Sequence, residues 1–195
     1  MRRLRIFEHM SLDGVIQMPG NTVEDYVHGD WTAPHRTPDG LARMVELHGE
    51  GFDLLLGRRT YDIWSNYWPT APKSPMADRL NAATKYVVTH RPESLEWGPV
   101  EGVGLDFAEG IRRIKAAGDN DLILWGSSTL TSALLEQELA DELVLHVYPV
   151  LLGSGKRFFA EGTPPRSLVL ESAKALPSGI VVNTYKAVRP LPTQS

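Results

Sequence analysis

Two arginines follow a short apolar run in a pattern that suits a phosphate-bearing ligand. The run Leu54–Leu56, which follows Asp53, ends at Gly57, and Arg58, Arg59 and Thr60 come next. This pattern predicts a buried strand, a tight turn and the start of a helix. A helix N-terminus offers unpaired N–H groups and a positive dipole end, and a guanidinium can bind phosphate bidentately. The alternative is that both arginines are solvated first-turn residues, although cations there oppose the helix dipole and so favour an anionic partner.

Two more predicted strands end in segments that could contact the same ligand. The strand Lys85–Thr89 runs into a histidine and an arginine, and the strand Leu122–Trp125 runs into a glycine and three hydroxyl residues. Ligands of open α/β sheets bind at the carboxyl ends of strands, so the three ends together predict a site for a long nucleotide with several phosphates. The glycine would let the backbone approach a pyrophosphate closely. The candidate residues of these two ends are Thr89, His90, Arg91, Gly126, Ser127, Ser128 and Thr129.

An acidic turn and two tryptophans are the candidates for a substrate site. Asp13 is the best candidate for an acidic group near the reacting atoms, and Gly14 follows it. Asp-Gly is also a common turn pair, and the catalytic and turn roles are compatible. Trp31 and Trp64 could form an apolar wall for a flat ring, and ordinary core packing explains them equally well.

Other known motifs are excluded by their spacing. No G-x-G-x-x-G occurs in the chain, so the Rossmann fingerprint is absent. The segment Gly153–Lys156 has the look of a P-loop, but Val150 stands where the first glycine belongs and Arg157 replaces the required Ser or Thr. The six histidines show no metal-ligand spacing, and no metal is expected.

Composition limits the class of protein. The chain has 195 residues, a globular composition and a formal net charge of -4, which argues against nucleic-acid and anionic-membrane partners. It has no cysteine, so disulfides are excluded and a cytoplasmic location is expected. No apolar run approaches the ~18–20 residues that span a bilayer, and Glu8 and His9 interrupt the start that a signal peptide needs. A single domain over residues 1–195 is expected.

The order of predicted elements indicates an α/β fold. Strands and helices alternate as far as Tyr148, and the pattern then becomes all-strand, with Ser167–Ala175 and Ile180–Val188 as a hairpin. A mostly parallel central sheet flanked by helices, with antiparallel C-terminal strands, is therefore predicted. The Gly- and Pro-dotted stretch Pro92–Gly104 reads as a connection. Leu41 is expected on the buried side of a helix that begins at residue 38.

Several of these segments together resemble a known family. The chain is similar to the dihydrofolate reductase-like fold, and especially to the reductase domain at the C-terminal end of bacterial bifunctional riboflavin-biosynthesis proteins. The order and spacing of the matching segments are specific, and they extend over nearly the whole chain. The segments are Ser11–Gly14, Leu55–Tyr61, Tyr86–Thr89, Leu124–Ser127, Ala140–Leu143 and Pro149–Gly155.

The resemblance implies an NADPH-dependent reductase that transfers a hydride to a small heterocyclic or ribosylamino-pyrimidine-like substrate, as in riboflavin biosynthesis. The Gly57–Thr60 segment would surround the cofactor phosphates, and the residues after the third strand would hold the 2′-phosphate end. The Gly126–Ser127 turn would lie against the pyrophosphate. The Asp13–Gly14 loop would line the nicotinamide and substrate cleft. Members often dimerise through their C-terminal strands, so a homodimer is expected.

Two positions depart from the family pattern. Trp125 stands where the riboflavin-pathway domain usually carries a glutamate, just before the glycine of the pyrophosphate turn. True dihydrofolate reductases carry an acid in the first turn of the first helix, and the nearest alignment places Gly40 or Leu41 there, one or two residues after Asp39. One alternative function is a non-catalytic nucleotide- or pterin-binding protein that uses the same cleft, and another is a purely structural dimer.

Overall fold

The computed structural model describes residues 1–17, 26–104, 106–159, 161, 163 and 165–190. The contacts within the chain divide it into two compact units. The first unit comprises Met1–Leu4 and Pro38–Ser127, and the second comprises Arg5–Thr37 and Ser128–Ser195. The single domain expected over residues 1–195 stays a prediction.

Thirteen helices and strands position the candidate residues within the described part of the chain. Short 3-10 turns at Ala33–His35, Trp68–Thr70 and Pro92–Ser94 lie between them. In chain order the elements are β1 (Leu4–Ser11), α1 (Pro38–His48), β2 (Phe52–Gly57), α2 (Arg58–Tyr67), α3 (Pro75–Ala82), β3 (Lys85–Val88), β4 (Val100–Val103), α4 (Phe107–Ala116), β5 (Asp121–Trp125), α5 (Ser128–Glu136), β6 (Glu142–Tyr148), β7 (Arg166–Ala175) and β8 (Val181–Pro190).

Four parallel strands form the sheet of the first unit, in the order β4-β3-β2-β5. The register pairs Gly57 with Val88 and Leu55 with Leu124, so the carboxyl ends of β2, β3 and β5 lie at one edge. The apolar runs of β2 and β5 are buried, as expected for parallel strands covered on both faces. The prediction of a plain connection over Pro92–Gly104 is wrong, because this stretch contains β4.

The helices of the first unit follow their sequence signals. Asp106 caps α4 by accepting the Glu109 N–H at 3.0 Å, and α4 packs close to β4, since a Cβ on Gly110 would lie 2.6 Å from a Val103 methyl carbon. The expectation for Leu41 is wrong, because its side chain on α1 is 48% exposed. None of the helices in the described ranges combines the length and the apolar character that crossing a membrane requires.

The second unit contains β1 and the C-terminal strands, in the order β1-β6-β8-β7. β1 and β6 are parallel, whereas β6·β8 and β7·β8 are antiparallel. The side chains of Arg5 and Glu142, which are register partners, form a buried ion pair across the parallel strands. Gly179, with φ +85°, closes the β7–β8 hairpin. The predicted α/β class, mostly parallel with antiparallel C-terminal strands, is confirmed.

Candidate functional site

The ends of β2 and β5 are joined by one serine hydroxyl. Ser127 Oγ accepts the Gly57 N–H at 3.2 Å and lies 2.9 Å from Thr60 Oγ1. Gly126 (φ +61°) and Ser127 (φ +59°) are both in the left-handed region, which turns the chain sharply after β5. The structure therefore brings together Gly57, Thr60, Gly126 and Ser127, as the strand-end argument predicted.

Arg58 holds the segment after β3 against the first turn of α2. Its Nε donates to Asp62 Oδ1 at 2.8 Å, and its Nη1 donates to the Arg91 carbonyl at 3.3 Å and to Ser94 Oγ at 2.6 Å. The interpretation of Arg58 as a merely solvated residue is therefore wrong. The three predicted strand ends therefore meet at the start of α2. The Ser127 hydroxyl joins the ends of β2 and β5, and the Arg58 guanidinium joins the segment after β3 to them.

Three further nitrogen-rich side chains extend from these ends into solvent. Arg59, His90 and Arg91 are exposed, and Thr89 Oγ1 accepts the Arg91 N–H at 3.1 Å. Gly57, the N-cap of α2, has no side chain with which to satisfy the first-turn N–H groups. We call Arg58, Arg59, His90 and Arg91 the cationic edge. Guanidiniums beside a helix N-terminus and a left-handed turn are a donor set that fits a phosphate-bearing dinucleotide.

Trp125, the residue that departs from the family pattern, is held by a histidine. Its Nε1–H donates to His48 Nε2 at 3.0 Å, and the two rings stack with centroids 5.4 Å apart. Nδ1 of His48 lies 2.7 Å from the Met44 carbonyl, which can only accept, so the neutral ring carries its proton on Nδ1. Trp64 on α2 is half-buried, with its ring 6.3 Å from Trp125 and 5.8 Å from Trp68. The role of Trp64 in binding a flat ring stays a prediction.

Asp13, in the second unit, is held in place by three hydrogen bonds. Its carboxylate accepts from Ser11 Oγ at 2.6 Å, from the Leu152 N–H at 3.1 Å and from the Gly153 N–H at 2.8 Å. The Ser11 hydroxyl, helped by the two backbone donors, lowers the pKa of Asp13 to about 2. Asp13 is therefore ionised at neutral pH, and its predicted catalytic role is restricted to that of a carboxylate.

The remaining predicted residues of the second unit lie on three separate elements. Gly14 has φ +84°, and its carbonyl accepts the Phe158 N–H at 2.9 Å. Trp31 is buried and donates its Nε1–H to the Gln17 carbonyl at 2.8 Å. Ser128 and Thr129 form the first turn of α5, the former buried and the latter exposed. Contacts with a ligand stay a prediction for all four: Gly14, Trp31, Ser128 and Thr129.

Glu8 is a candidate that the sequence reasoning missed. Its side chain is buried within β1; Oε1 accepts the His9 N–H at 3.0 Å, and Oε2 has no hydrogen-bond partner among the described residues. Burial raises the pKa of Glu8 to about 8, against the opposing effects of the His9 N–H and the Lys156 charge. Its signal in the sequence was a glutamate beside the apolar pair Ile6–Phe7 of a strand, where a buried carboxyl group needs either a hydrogen-bond partner or a proton.

A group of histidines around one tyrosine was also missed. Tyr148 Oη lies 2.9 Å from His9 Nδ1, and the rings of His146 and His35 lie 4.8 Å from His9 and 5.7 Å from Tyr148, respectively. Burial raises the pKa of Tyr148 to about 12, while the Arg36 charge acts in the opposite direction. We call His9, His35, His146 and Tyr148 the His–Tyr cluster. Within the described ranges, no three acidic or histidine side chains are arranged to hold a metal ion.

Comparisons with known proteins identify the family and the fold. The family model described as the RibD C-terminal domain matches residues 2–182. Two proteins of Bacillus subtilis (strain 168) are similar along their whole length. Uncharacterized protein YyaP is 24% identical over 188 residues, covering 94% of each chain. Uncharacterized protein YwjB is 24% identical over 197 residues, covering 95% of this chain and 99% of the other.

Solved structures share the fold. A Shewanella sp. PV-4 protein named for riboflavin biosynthesis has a TM-score of 0.71 at 23% identity, covering 96% of this chain and 99% of the other. A pyrimidine reductase-like protein of Corynebacterium diphtheriae has a TM-score of 0.66 at 13% identity, covering 96% and 92%. A Thermotoga maritima diaminohydroxyphosphoribosylaminopyrimidine deaminase/5-amino-6-(5-phosphoribosylamino)uracil reductase has a TM-score of 0.66 at 14% identity; the match covers 96% of this chain and 57% of that longer one.

Proposed function

Because the chain belongs to the RibD C-terminal domain family, we propose that it is an NADPH-dependent reductase of a small heterocyclic or ribosylamino-pyrimidine-like substrate. The family suggests a reductase of the riboflavin-pathway type. The observation that carries the cofactor assignment is the convergence of three strand ends on α2, through Ser127 Oγ and the Arg58 guanidinium. NADPH, when bound, would supply the hydride.

The cationic edge favours NADPH over NADH. The two cofactors differ by one phosphate, and that phosphate carries most of its charge at neutral pH. Arg59 and Arg91 are exposed guanidiniums that can bind a phosphate bidentately, and His90 adds a third donor. The residues after β3 are the ones to which the family resemblance assigns the 2′-phosphate. The residues proposed to hold the cofactor are Gly57, Arg58, Arg59, Thr60, Thr89, His90, Arg91, Gly126, Ser127, Ser128 and Thr129.

The protein's own contribution to a hydride transfer is position and a proton. Gly126 and Ser127 bring a turn of backbone, without bulky side chains, to the ends of β2 and β5. Asp13, as a carboxylate, can orient a polar group of the substrate or stabilise positive charge that develops on it. Holding donor and acceptor in contact is the main source of acceleration in such reactions.

A second candidate function is the non-catalytic binding of a nucleotide or a pterin. The specific observation in its favour is that Asp13, the predicted acid, is ionised and occupied with three donors. A binding protein needs no proton donor, and ligand binding alone would leave the cofactor reduced. The two functions therefore differ in whether NADPH is oxidised when a heterocycle is added.

Assembly as a homodimer through the C-terminal strands belongs to the same proposal. β7 pairs with β8 and is exposed along most of its length, with Val169 and Leu170 each about half exposed. Exposed apolar side chains on a strand at the edge of a sheet are typical of an interaction surface. A cytoplasmic location stays an expectation from the absence of cysteine.

Thermal denaturation with saturating NADPH, and with NADH as the control, tests the proposal. A ligand at about 100 times its dissociation constant adds roughly 2.7 kcal/mol to the free energy of unfolding, which is a shift of several degrees for a chain of this size. We expect a shift with NADPH and little with NADH. Equal shifts would contradict the role of the cationic edge, and no shift with either cofactor would contradict the reductase.

A further inference from the structure

The His–Tyr cluster is placed by the pairing of β1 with β6. The register sets His9 beside His146 and Ser11 beside Tyr148. Residues two apart on a strand point to the same face, so all four of these side chains share one face of the parallel pair. The cluster therefore lies on the same face and at the same end of β1 as Ser11, whose hydroxyl donates to Asp13.

The cluster combines buried rings with more accessible histidines. Tyr148, His146 and Trp31 are 4%, 3% and 6% exposed, and the Trp31 ring meets the Tyr148 ring edge-on at 5.2 Å. His9 and His35, by contrast, are only half-buried. Flat apolar rings with a few polar, solvent-accessible groups beside them are the usual composition of a site for a small heterocycle.

Tyr148 determines which ring nitrogen of a neutral His9 carries the proton. Its pKa of about 12 keeps its hydroxyl protonated at neutral pH, so it can donate to His9 Nδ1 across the 2.9 Å contact. A neutral His9 that accepts at Nδ1 carries its proton on Nε2, and a protonated His9 also has Nε2–H. In both states, then, His9 has a donor at Nε2.

Several charged and titratable groups surround this pair. The His146 ring lies 4.8 Å from the His9 ring and is tilted 34° to it, and the backbone N–H of His9 donates to Glu8 Oε1. His35 meets Tyr148 edge-on, and the ion pair of Arg36 with Asp30 contributes its charges to the field at Tyr148.

We propose that the His–Tyr cluster is the binding site for the flat substrate and that His9 Nε2 donates the proton which completes its reduction. The proposal rests on the proposed function. A hydride adds to the carbon of a C=N or C=O bond, and the π electron pair of that bond moves onto the heteroatom. The heteroatom takes the proton from Nε2 of the His9 imidazolium, giving a CH–NH or CH–OH product and a neutral imidazole, which solvent then reprotonates. Tyr148 is a positioning residue that orients the ring through Nδ1.

Binding of uracil and lumazine, a monocyclic and a bicyclic carbonyl heterocycle, tests the site. Affinities are measured by calorimetry for the wild type and for His9→Asn, Tyr148→Phe and the matched control His28→Asn. His28 is an exposed histidine of the same unit. We expect at least one probe to bind, with an affinity about tenfold or more weaker in the His9 and Tyr148 variants and unchanged in His28→Asn.

A second measurement needs no variant. Histidine ring resonances of the wild type are titrated between pH 5 and 7.5 with and without the probe. A carbonyl that accepts from His9 Nε2–H favours the stronger imidazolium donor, so probe binding should raise the pKa of His9, while the ring resonances of His28 should not respond to the probe. A purely structural His9 would keep the same pKa. That result, or unchanged affinity in His9→Asn, or no binding of either probe by the wild type, would overturn the proposal.

The melting shift with NADPH, measured on the same variants, separates this proposal from the reductase itself. We expect the shift to be retained in all of them, because the cofactor residues are untouched. Suppose that the probe binds through the cluster but NADPH does not stabilise the protein. That result would contradict the reductase function and, with it, the role of His9 as proton donor. If NADPH shifts the melting temperature normally and the cluster variants bind the probe as the wild type does, only the assignment of the substrate site is contradicted.

Discussion

The cationic edge of the first unit and the His–Tyr cluster of the second obtain their chemistry in opposite ways. Arg59, His90 and Arg91 are exposed and act through charge and hydrogen-bond geometry, in a setting where solvent weakens electrostatic interactions. Tyr148 and Glu8 are buried, and burial itself is the main cause of their shifted pKa values. The first arrangement suits the recognition of a permanently charged group. The second suits a group whose protonation has to be controlled.

The largest expected effect is on the pH dependence of stability, and it comes from replacing Glu8, a buried carboxyl group of the second unit. The raised pKa means that the folded state keeps its proton while the unfolded state ionises, so stability is full below about pH 4.5 and is lost as the pH rises to about 8. The loss is at most about 1.4 kcal/mol per pH unit across that window. Glu8→Gln should remove this loss, as measured by urea denaturation between pH 5 and 9.

Glu136→Gln is the matched control for Glu8, because Glu136 is exposed on α5 in the same unit. It should follow the wild-type pH dependence. If the stability of Glu8→Gln showed the same pH dependence as the wild type, Glu8 would be ionised in the folded protein. That result would contradict the contrast drawn between the two units.

The next effect concerns the cationic edge. Losing a charge-assisted bond to the 2′-phosphate should cost about 1.5–3 kcal/mol, so Arg58→Ala/Arg59→Ala should weaken NADPH binding roughly 10- to 150-fold and NADH binding little. The exposed Arg112→Ala on α4 is the control. Fluorescence titration of the reduced cofactors measures both. Normal NADPH binding by the double variant would rule out the assignment of these arginines.

A smaller effect is expected from the hydroxyl that joins two strand ends. Ser127→Ala removes the acceptor of the Gly57 N–H and the partner of Thr60, which should cost about 1 kcal/mol of stability and weaken NADPH binding several-fold. Ser65→Ala is a suitable comparison, since the hydrogen bond of Ser65 within the described part of the chain goes to the Asp62 carbonyl of its own helix. Equal losses in the two variants would mean that the junction contributes nothing specific.

The smallest effect is expected at Asp13, which is stabilised as an ion by hydrogen bonds and not by burial. Its lowered pKa contributes stability that is present above about pH 4 and is lost as the pH falls toward 2. Asp13→Asn should therefore differ from the wild type near neutral pH and resemble it near pH 2. Thermal melts at pH 2.5 and 7 test this, and a constant difference between the two proteins would contradict the assignment.

Local signals in the sequence were sufficient for the strand ends that we propose to bind the cofactor. The apolar run of β2, the glycine after it and the first turn of α2 are contiguous, so their structure follows from residues that are neighbours in the chain. The rule that ligands meet the carboxyl ends of parallel strands then predicted that Gly57 and Ser127 would converge. What this rule could not give is the partner of Arg58, because Ser94 belongs to a short 3-10 turn without a periodic signal.

The His–Tyr cluster, which we propose as the substrate site, needed information that no local pattern contains. Tyr148 and His9 are separated by 139 residues and meet only because β1 pairs with β6 in one particular register. A shift of that register by one residue would move one of the two side chains to the other face. The exposure of Leu41 and the existence of β4 were missed for a related reason, since tertiary packing overrides short apolar patterns.

The paired left-handed residues after β5 bear on how this protein can evolve. Gly126 and Ser127 both have positive φ, a conformation that few side chains tolerate, whereas Arg59, His90 and Arg91 lie on ordinary backbone and in solvent. A library randomised at all five positions and selected for NADH should therefore keep a narrow choice at 126 and 127 and drift freely at the other three. Cofactor preference can change in such a protein without any change in the backbone conformation of the turn at residues 126 and 127.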